Sequence, residues 1–131
     1  MKFICLGCLD EKQWEKLSAS DQLGLVDECF AYDDVLRKNS HFAGGEALQD
    51  ARQAKTLRWR KGEVAVTDGP FAETKEMLGG ILILEARDME HAVELMSKHP
   101  GLRMGSFEIR PSADLTGMIR ESEKRRSKLA H

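Results

Sequence analysis

The sequence predicts an α+β domain in which an antiparallel sheet carries two helices on one face. The pattern along the chain is strand, helix, strands, strand, helix, strand, an order that suits such a sheet in ferredoxin-like folds. The chain has 131 residues, which is the usual size of one domain. With 41% hydrophobic and 32% charged residues, it has the composition of a globular protein.

The first half of the chain predicts two strands separated by a long helix. Residues 1–9 are apolar apart from Lys2, which is typical of a strand covered on both faces. In residues 20–39, apolar side chains recur at three- to four-residue spacing, which predicts an amphipathic helix. We expect a second strand over residues 41–48, where Gly44-Gly45 indicates a bulge or a close approach of backbone or ligand.

A β-hairpin is expected next. Leu57 and Trp59 alternate with arginines, Lys61-Gly62 can form a turn, and Val64 and Val66 resume the alternation.

The second half predicts a strand, a helix and a final strand. Residues 79–87 contain an unbroken apolar run, and Asp88 is a helix N-cap candidate. Residues 106–110 alternate apolar and charged side chains and stop at a proline, as a last strand does. We therefore expect one domain over residues 1–115, followed by a basic helical tail over residues 116–131.

One face of the predicted sheet needs a further cover. Two helices cover a single face, yet residues 1–9 and 81–84 are apolar on both faces. The second face is most economically covered by the same face of another subunit. We therefore expect a homodimer of sheets packed face to face.

Charge and composition argue against several classes of partner and cofactor. The formal net charge of -2 provides no field that would draw the chain to nucleic acid or to a membrane surface. The longest apolar run, Ile81 to Leu84, is far shorter than a membrane span, and no signal peptide is recognisable, so we expect a cytoplasmic protein. Three cysteines fit a reducing compartment. Cys5 and Cys8 would point to opposite faces of a strand, which predicts core thiols and no metal or cofactor site.

Residues 67–76 contain the strongest candidate for a functional site. If Val64 and Val66 point inward, period two places Asp68 on the same inward side. A buried carboxylate must be capped by N–H groups, paired with a cation, or given a raised pKa. Two interpretations stay open: Asp68 caps its own Gly69-Pro70 turn, or it acts as a general acid or base, or as the anchor for a cationic or hydroxyl group of a ligand.

Other residues complete this candidate site. His41 or Tyr32 would supply a second proton-handling group if Asp68 is catalytic, although a lone histidine at a strand end is more often structural. The candidate ligand-binding residues are Asp68, Gly69, Pro70, Phe71, Thr74, Lys75, Glu76, Tyr32 and Gly45.

The segment Thr67 to Glu76, followed by Leu78-Gly79-Gly80, closely resembles the signature of the DGPF family, part of the YCII-related group of bacterial proteins. The resemblance extends over Met1 to Leu115. It implies a ferredoxin-like subunit assembled as a dimeric α/β barrel, with a cleft at the Asp-Gly-Pro-Phe turn. It also implies a regulatory or small-molecule-sensing role linked to an extracytoplasmic-function sigma factor.

The resemblance further implies a possible catalytic dyad, formed by a histidine on the first helix and an aspartate from the following strands. Asp68 matches the aspartate, whereas residues 20–39 contain no histidine. The leading hypothesis is therefore a homodimeric domain that binds a small molecule or has a regulatory role. The alternatives are a cofactor-independent enzyme using Asp68, and an interaction module acting through the C-terminal helix.

Overall fold

A four-stranded antiparallel sheet forms the centre of the computed structural model, which describes residues 1–129. In spatial order its strands are β2 (Phe42–Ala47), β5 (Met77–Glu85), β1 (Lys2–Leu9) and β6 (Gly105–Pro111). A separate hairpin consists of β3 (Lys55–Arg60) and β4 (Glu63–Asp68). The helices are α1 (Glu11–Glu15), α2 (Ala19–Lys38), α3 (Met89–Met96) and α4 (Thr116–Leu129). The predicted ferredoxin-like α+β fold is confirmed.

The hydrophobic core lies between the sheet and two helices. Phe3 is opposite Leu84, and Cys5 is opposite Leu82, in the pairing of β1 with β5. Period two therefore directs these buried side chains to one face. Helix α2 adds Leu36 to this core, and α3 adds Ala92 and Met96.

The other face of the sheet is only partly covered. Ile4 is opposite Ile83 and Leu6 is opposite Ile81, and all four side chains are half-buried. The sequence therefore predicted the apolar character of both faces correctly. Within the single chain, the helices pack on one of them.

Local capping explains where the main helices begin. The Ser18 hydroxyl accepts a hydrogen bond from the Asp21 N–H at the start of α2. The Asp88 carboxylate accepts one from the His91 N–H at the start of α3, as the sequence predicted. Each cap satisfies an N–H group that has no partner within the helix.

The last described element is a helix that lies largely outside the core. The predicted helical tail forms α4, in which Met118 and Ile119 are exposed, as is Leu115 just before the helix. The last two residues of the predicted tail, 130 and 131, lie outside the described residues. None of the helices within residues 1–129 has the length and apolar character needed to cross a membrane.

The three cysteines differ in burial. Cys5 is fully buried, and burial raises the pKa of its thiol to about 11. Cys8 and Cys29 are half-buried, so the core position expected of Cys5 and Cys8 is correct only for Cys5. Within residues 1–129, no three His, Cys, Asp or Glu side chains group together as a metal site requires.

Gly105 provides a test of the contact between β6 and β1. A Cβ atom at this position would lie 1.7 Å from the Cys8 carbonyl oxygen, so the two strands would have to separate. We expect Gly105→Ala to lower the free energy of unfolding by about 3 kcal/mol, measured by urea denaturation. In the control Gly24→Ala, within α2, the new Cβ meets no described atom within 4 Å. This change should raise stability by about 0.5–1 kcal/mol, and equal losses in both variants would contradict the close contact of Gly105 with β1.

The raised pKa of Cys5 predicts slow thiol chemistry. In the double variant Cys8→Ser, Cys29→Ser, Cys5 is the one remaining thiol. At pH 8 about a thousandth of it is ionised, so we expect Ellman's reagent to react slowly until urea unfolds the chain. A Cys29→Ser variant, which keeps the half-buried Cys8, is the faster-reacting control. Rapid labelling of native Cys5 would show that the thiol is accessible.

Candidate functional site

A cavity of about 580 Å³ lies at one end of the sheet, between the loop that follows β2 and the turn that follows β4. The backbone of Leu48 donates a hydrogen bond to the Gly79 carbonyl, and that of Gly69 donates one to the Ala54 carbonyl. These bonds hold the two walls in place. The residues that line the cavity are Cys8, Leu48, Gln49, Asp50, Ala51, Gln53, Ala54, Pro70, Phe71, Ala72, Thr74, Glu76, Met77 and Leu78.

The first wall contains a short 3₁₀ turn, Ala51–Gln53. The Asp50 carboxylate caps this turn by accepting a hydrogen bond from the Arg52 N–H at 2.8 Å. The Arg52 guanidinium also donates to Asp50, and this hydrogen bond holds the pKa of the carboxyl below its usual range. Asp50 is therefore ionised at neutral pH.

The second wall is attached to the hairpin. Thr56 donates a hydrogen bond to the Gly69 carbonyl at 2.8 Å, and Gly69 has a left-handed φ of 95° that favours glycine. Arg58 donates to the Phe71 carbonyl at 3.1 Å, and its guanidinium lies 5.1 Å from the centre of the Phe71 ring. This cation–π contact fixes an otherwise exposed aromatic ring at the rim of the cavity.

The floor contains a carboxylate held by a neighbouring strand. The Ser106 hydroxyl donates to Glu76 Oε2 at 2.7 Å, and Thr74 donates to the Glu76 carbonyl. Cys8 lies beside this pair, opposite Ser106 in the sheet. Burial raises the pKa of the Cys8 thiol, and the nearby carboxylates of Glu76 and Glu108 raise it further. Cys8 is therefore a protonated, weakly nucleophilic lining group at neutral pH.

A larger hollow of about 850 Å³ runs along α4, but the residues that line it all come from the segment 115–126. It is a groove on the surface of one exposed helix. For this reason the cavity at the end of the sheet is the better candidate site.

Four of the predicted ligand-binding residues, Pro70, Phe71, Thr74 and Glu76, line the cavity. Gly69 shapes its wall through the backbone without lining it. Lys75 points away, and its Nζ atom lies 4.0 Å from the buried carboxylate of Asp10. The predicted segment therefore borders the cavity, although its individual residues have different positions, and their roles in ligand binding stay predictions.

The expectation of an inward-facing Asp68 is wrong in this chain. Asp68 does share a face of β4 with Val64 and Val66, but the side chain of Asp68 is 85% exposed and forms an ion pair with Lys55. The hairpin is separate from the main sheet, so no core lies behind that face. Within the single chain, the carboxylate that suggested acid or base catalysis is therefore exposed. The contribution of Asp68 to catalysis or to ligand binding stays a prediction.

The remaining predicted residues lie elsewhere. His41 precedes β2, at the end away from the cavity, where its Nδ1 atom is 2.9 Å from the Glu85 carbonyl. Tyr32 donates to the Leu95 carbonyl at 2.5 Å, between α2 and α3. Neither residue approaches Asp68. Gly45 allows a close approach of backbone, because an added Cβ would lie 3.1 Å from the Ile81 carbonyl oxygen.

The sequence analysis did not predict a pair formed by the buried His99 and the half-buried Asp33. His99 Nε2 lies 3.0 Å from Asp33 Oδ1, and the Gly101 N–H donates to His99 Nδ1. Nδ1 is an acceptor, so Nε2 carries the proton and donates a hydrogen bond to Asp33 Oδ1. Both ring nitrogens are used within the protein, which makes the pair a connection between α2 and the turn after α3. In the sequence, the one signal of this pair is an acidic side chain next to the apolar stripe of α2.

The family model of the YCII-related domain, which describes the sequences of that family, matches residues 1–116 of the chain. An uncharacterized protein from Rhizobium meliloti (strain 1021) is 42% identical over 64 residues, which cover 46% of this chain and 50% of that protein. The chain thus spans about half the length of this curated relative.

A solved structure has a similar fold. It is the 5-chloro-2-hydroxyhydroquinone dehydrochlorinase TftG from Burkholderia phenoliruptrix AC1100, with a TM-score of 0.52 and 15% sequence identity. The similarity covers 86% of this chain and 94% of TftG. At this identity the comparison shows the fold alone. The family match covers nearly the whole chain, and the protein belongs to the YCII-related domain family.

Proposed function

We propose that this protein is a small-molecule-binding domain and that its ligand site is the cavity between Leu48–Ala54 and Pro70–Leu78. The observation that carries the proposal is the cavity itself. Its volume of about 580 Å³ lies within the usual range of small-molecule sites. Its lining is largely apolar, with a few polar groups at defined positions, which is the typical composition of such sites.

The fold supports a ligand of modest size. TftG was solved in complex with 2,5-dihydroxybenzoquinone, so a protein of similar fold holds a small ring compound. In the present chain, the cavity walls are held by backbone hydrogen bonds and by the Arg58 contacts to Phe71. Such a partly preformed site loses less entropy when it binds a ligand.

We propose further that the protein acts as a homodimer. Four large apolar side chains, those of Leu57, Trp59, Val64 and Val66, are between 56% and 74% exposed on one face of the hairpin. The sheet also has a half-buried apolar face around Ile4 and Ile83. An isolated hairpin is marginally stable, and apolar patches of this kind are typical of association surfaces.

Two roles inferred from the sequence stay predictions. One is the link to an extracytoplasmic-function sigma factor, which would give the small-molecule site a regulatory purpose. The other is partner binding through α4, whose exposed Met118 and Ile119 are accompanied by basic residues. Both are compatible with a ligand site at the other end of the domain.

Filling the cavity tests the proposed site. Ala72 is an exposed lining residue, so Ala72→Trp should occupy the cavity without disturbing the core. In the wild type, fragments that bind the cavity should shift the amide resonances of Thr74, Met77 and Leu78. We expect the same fragments to bind Ala72→Trp at least tenfold more weakly. The control is Ala113→Trp, at an exposed position outside the cavity. If a broad fragment library shifts none of these resonances, the cavity is not a ligand site.

Adjacent substitutions on β4 test the dimer. Val66→Lys places a charge on the apolar face of the hairpin, whereas Thr67→Lys places the same charge on the opposite face. We expect the wild type and Thr67→Lys to sediment as dimers, and Val66→Lys to shift toward the monomer. A cost of 1.4 kcal/mol would weaken association about tenfold. A monomeric wild type would contradict the proposal.

A further inference from the structure

We propose that the cavity selects ligands that combine an apolar body with a hydrogen-bond donor, an amine or a hydroxyl, and that it discriminates against carboxylates and phosphates. This inference rests on the proposed function, because it assigns a chemical class to the same cavity. It follows from the charges that line the site, from the fixed position of Glu76, and from the apolar surface around it.

The first observation is the sign of the charge. Two acidic side chains, Asp50 and Glu76, line the cavity, whereas none of its lining residues among those described is Lys, Arg or His. Arg52 pairs with Asp50 and balances its charge, and Arg58 contacts Phe71 at the rim, so Glu76 is the lining carboxylate without a cationic partner among the described residues. An anionic ligand would meet the like charge of Glu76, while a donor or cation would meet an acceptor.

The second observation is the position of the acceptor. Glu76 is half-buried, and Ser106 holds its Oε2 atom at 2.7 Å. An ionised carboxylate offers about four acceptor positions, and this hydrogen bond occupies one of them. Thr74 also holds the Glu76 backbone through its carbonyl. Glu76 is thus an oriented acceptor at the cavity surface.

The third observation is the surface next to this acceptor. Leu48, Met77 and Leu78 line the same cavity, and Pro70 and Phe71 form its rim. The Phe71 ring is 77% exposed and is held by Arg58, so its remaining surface is available to an apolar or aromatic ligand. The ligand class that fits is therefore an apolar body, such as a single ring, with a hydrogen-bond donor that reaches Glu76.

Three probes of matched size test this class: phenethylamine, 2-phenylethanol and phenylacetate. Each is titrated into the ¹⁵N-labelled full chain at pH 7 and low salt, up to its solubility limit. We expect the amine and the alcohol to shift the amide resonances of Thr74, Met77 and Leu78. Phenylacetate should bind at least tenfold more weakly, because its carboxylate would face that of Glu76.

The decisive variant is Glu76→Gln, which keeps an acceptor for Ser106 and removes the charge. It should weaken phenethylamine binding about tenfold and reduce the discrimination against phenylacetate. Glu108→Gln is the matched control, because Glu108 is exposed, pairs with Arg110 and does not line the cavity. The amide spectrum of each variant reports whether it is folded.

The outcomes separate the two proposals. If phenylacetate binds in the cavity as tightly as the amine, or if Glu76→Gln leaves the preference unchanged, the ligand class is wrong and the cavity remains a binding site. If neither the amine nor the alcohol shifts the cavity resonances, the ligand class is overturned. If probes bind but Ala72→Trp has no effect on them, the proposed site itself is wrong.

Discussion

The antiparallel pairing of β1 with β5 is the constraint on which the rest of the structure depends. Its register places Phe3 opposite Leu84 on the helix-covered face, and Ile4 opposite Ile83 on the other face. A slip by one residue would exchange the two faces and expose the core. Near the cavity the register shifts: Gly7 pairs with Gly80, but Cys8 pairs with Leu78, so β5 has one extra residue there. This bulge interrupts the regular pairing beside the cavity, which Cys8 and Leu78 line.

Much of the fold could be predicted because its signals are local. The alternation around Trp59 and Val64 predicted the hairpin, and Asp88 predicted the start of α3. The same alternation led to the wrong prediction that Asp68 faces the interior. Period two shows which side chains share a face, but burial depends on what covers that face, and the hairpin stands apart from the sheet.

The candidate site was predictable only where it is contiguous in sequence. Pro70 and Glu76 were found because they belong to one distinctive segment. The opposite wall, Leu48–Ala54, has no periodic pattern, and its role depends on a backbone hydrogen bond to Gly79. Ser106 and Glu76 are 30 residues apart, and His99 and Asp33 are 66 apart. Such pairs arise from the tertiary arrangement, which periodicity does not encode.

The contact between Arg58 and Phe71 connects the hairpin to the cavity. Arg58 lies on the opposite side of β3 from Trp59 and holds the cavity rim by a hydrogen bond and a ring contact. A rotation of the hairpin therefore displaces Phe71, or breaks both contacts. By thermodynamic reciprocity, a ligand that favours one position of Phe71 also favours one hairpin angle, so ligand occupancy and the proposed subunit association would be coupled equilibria.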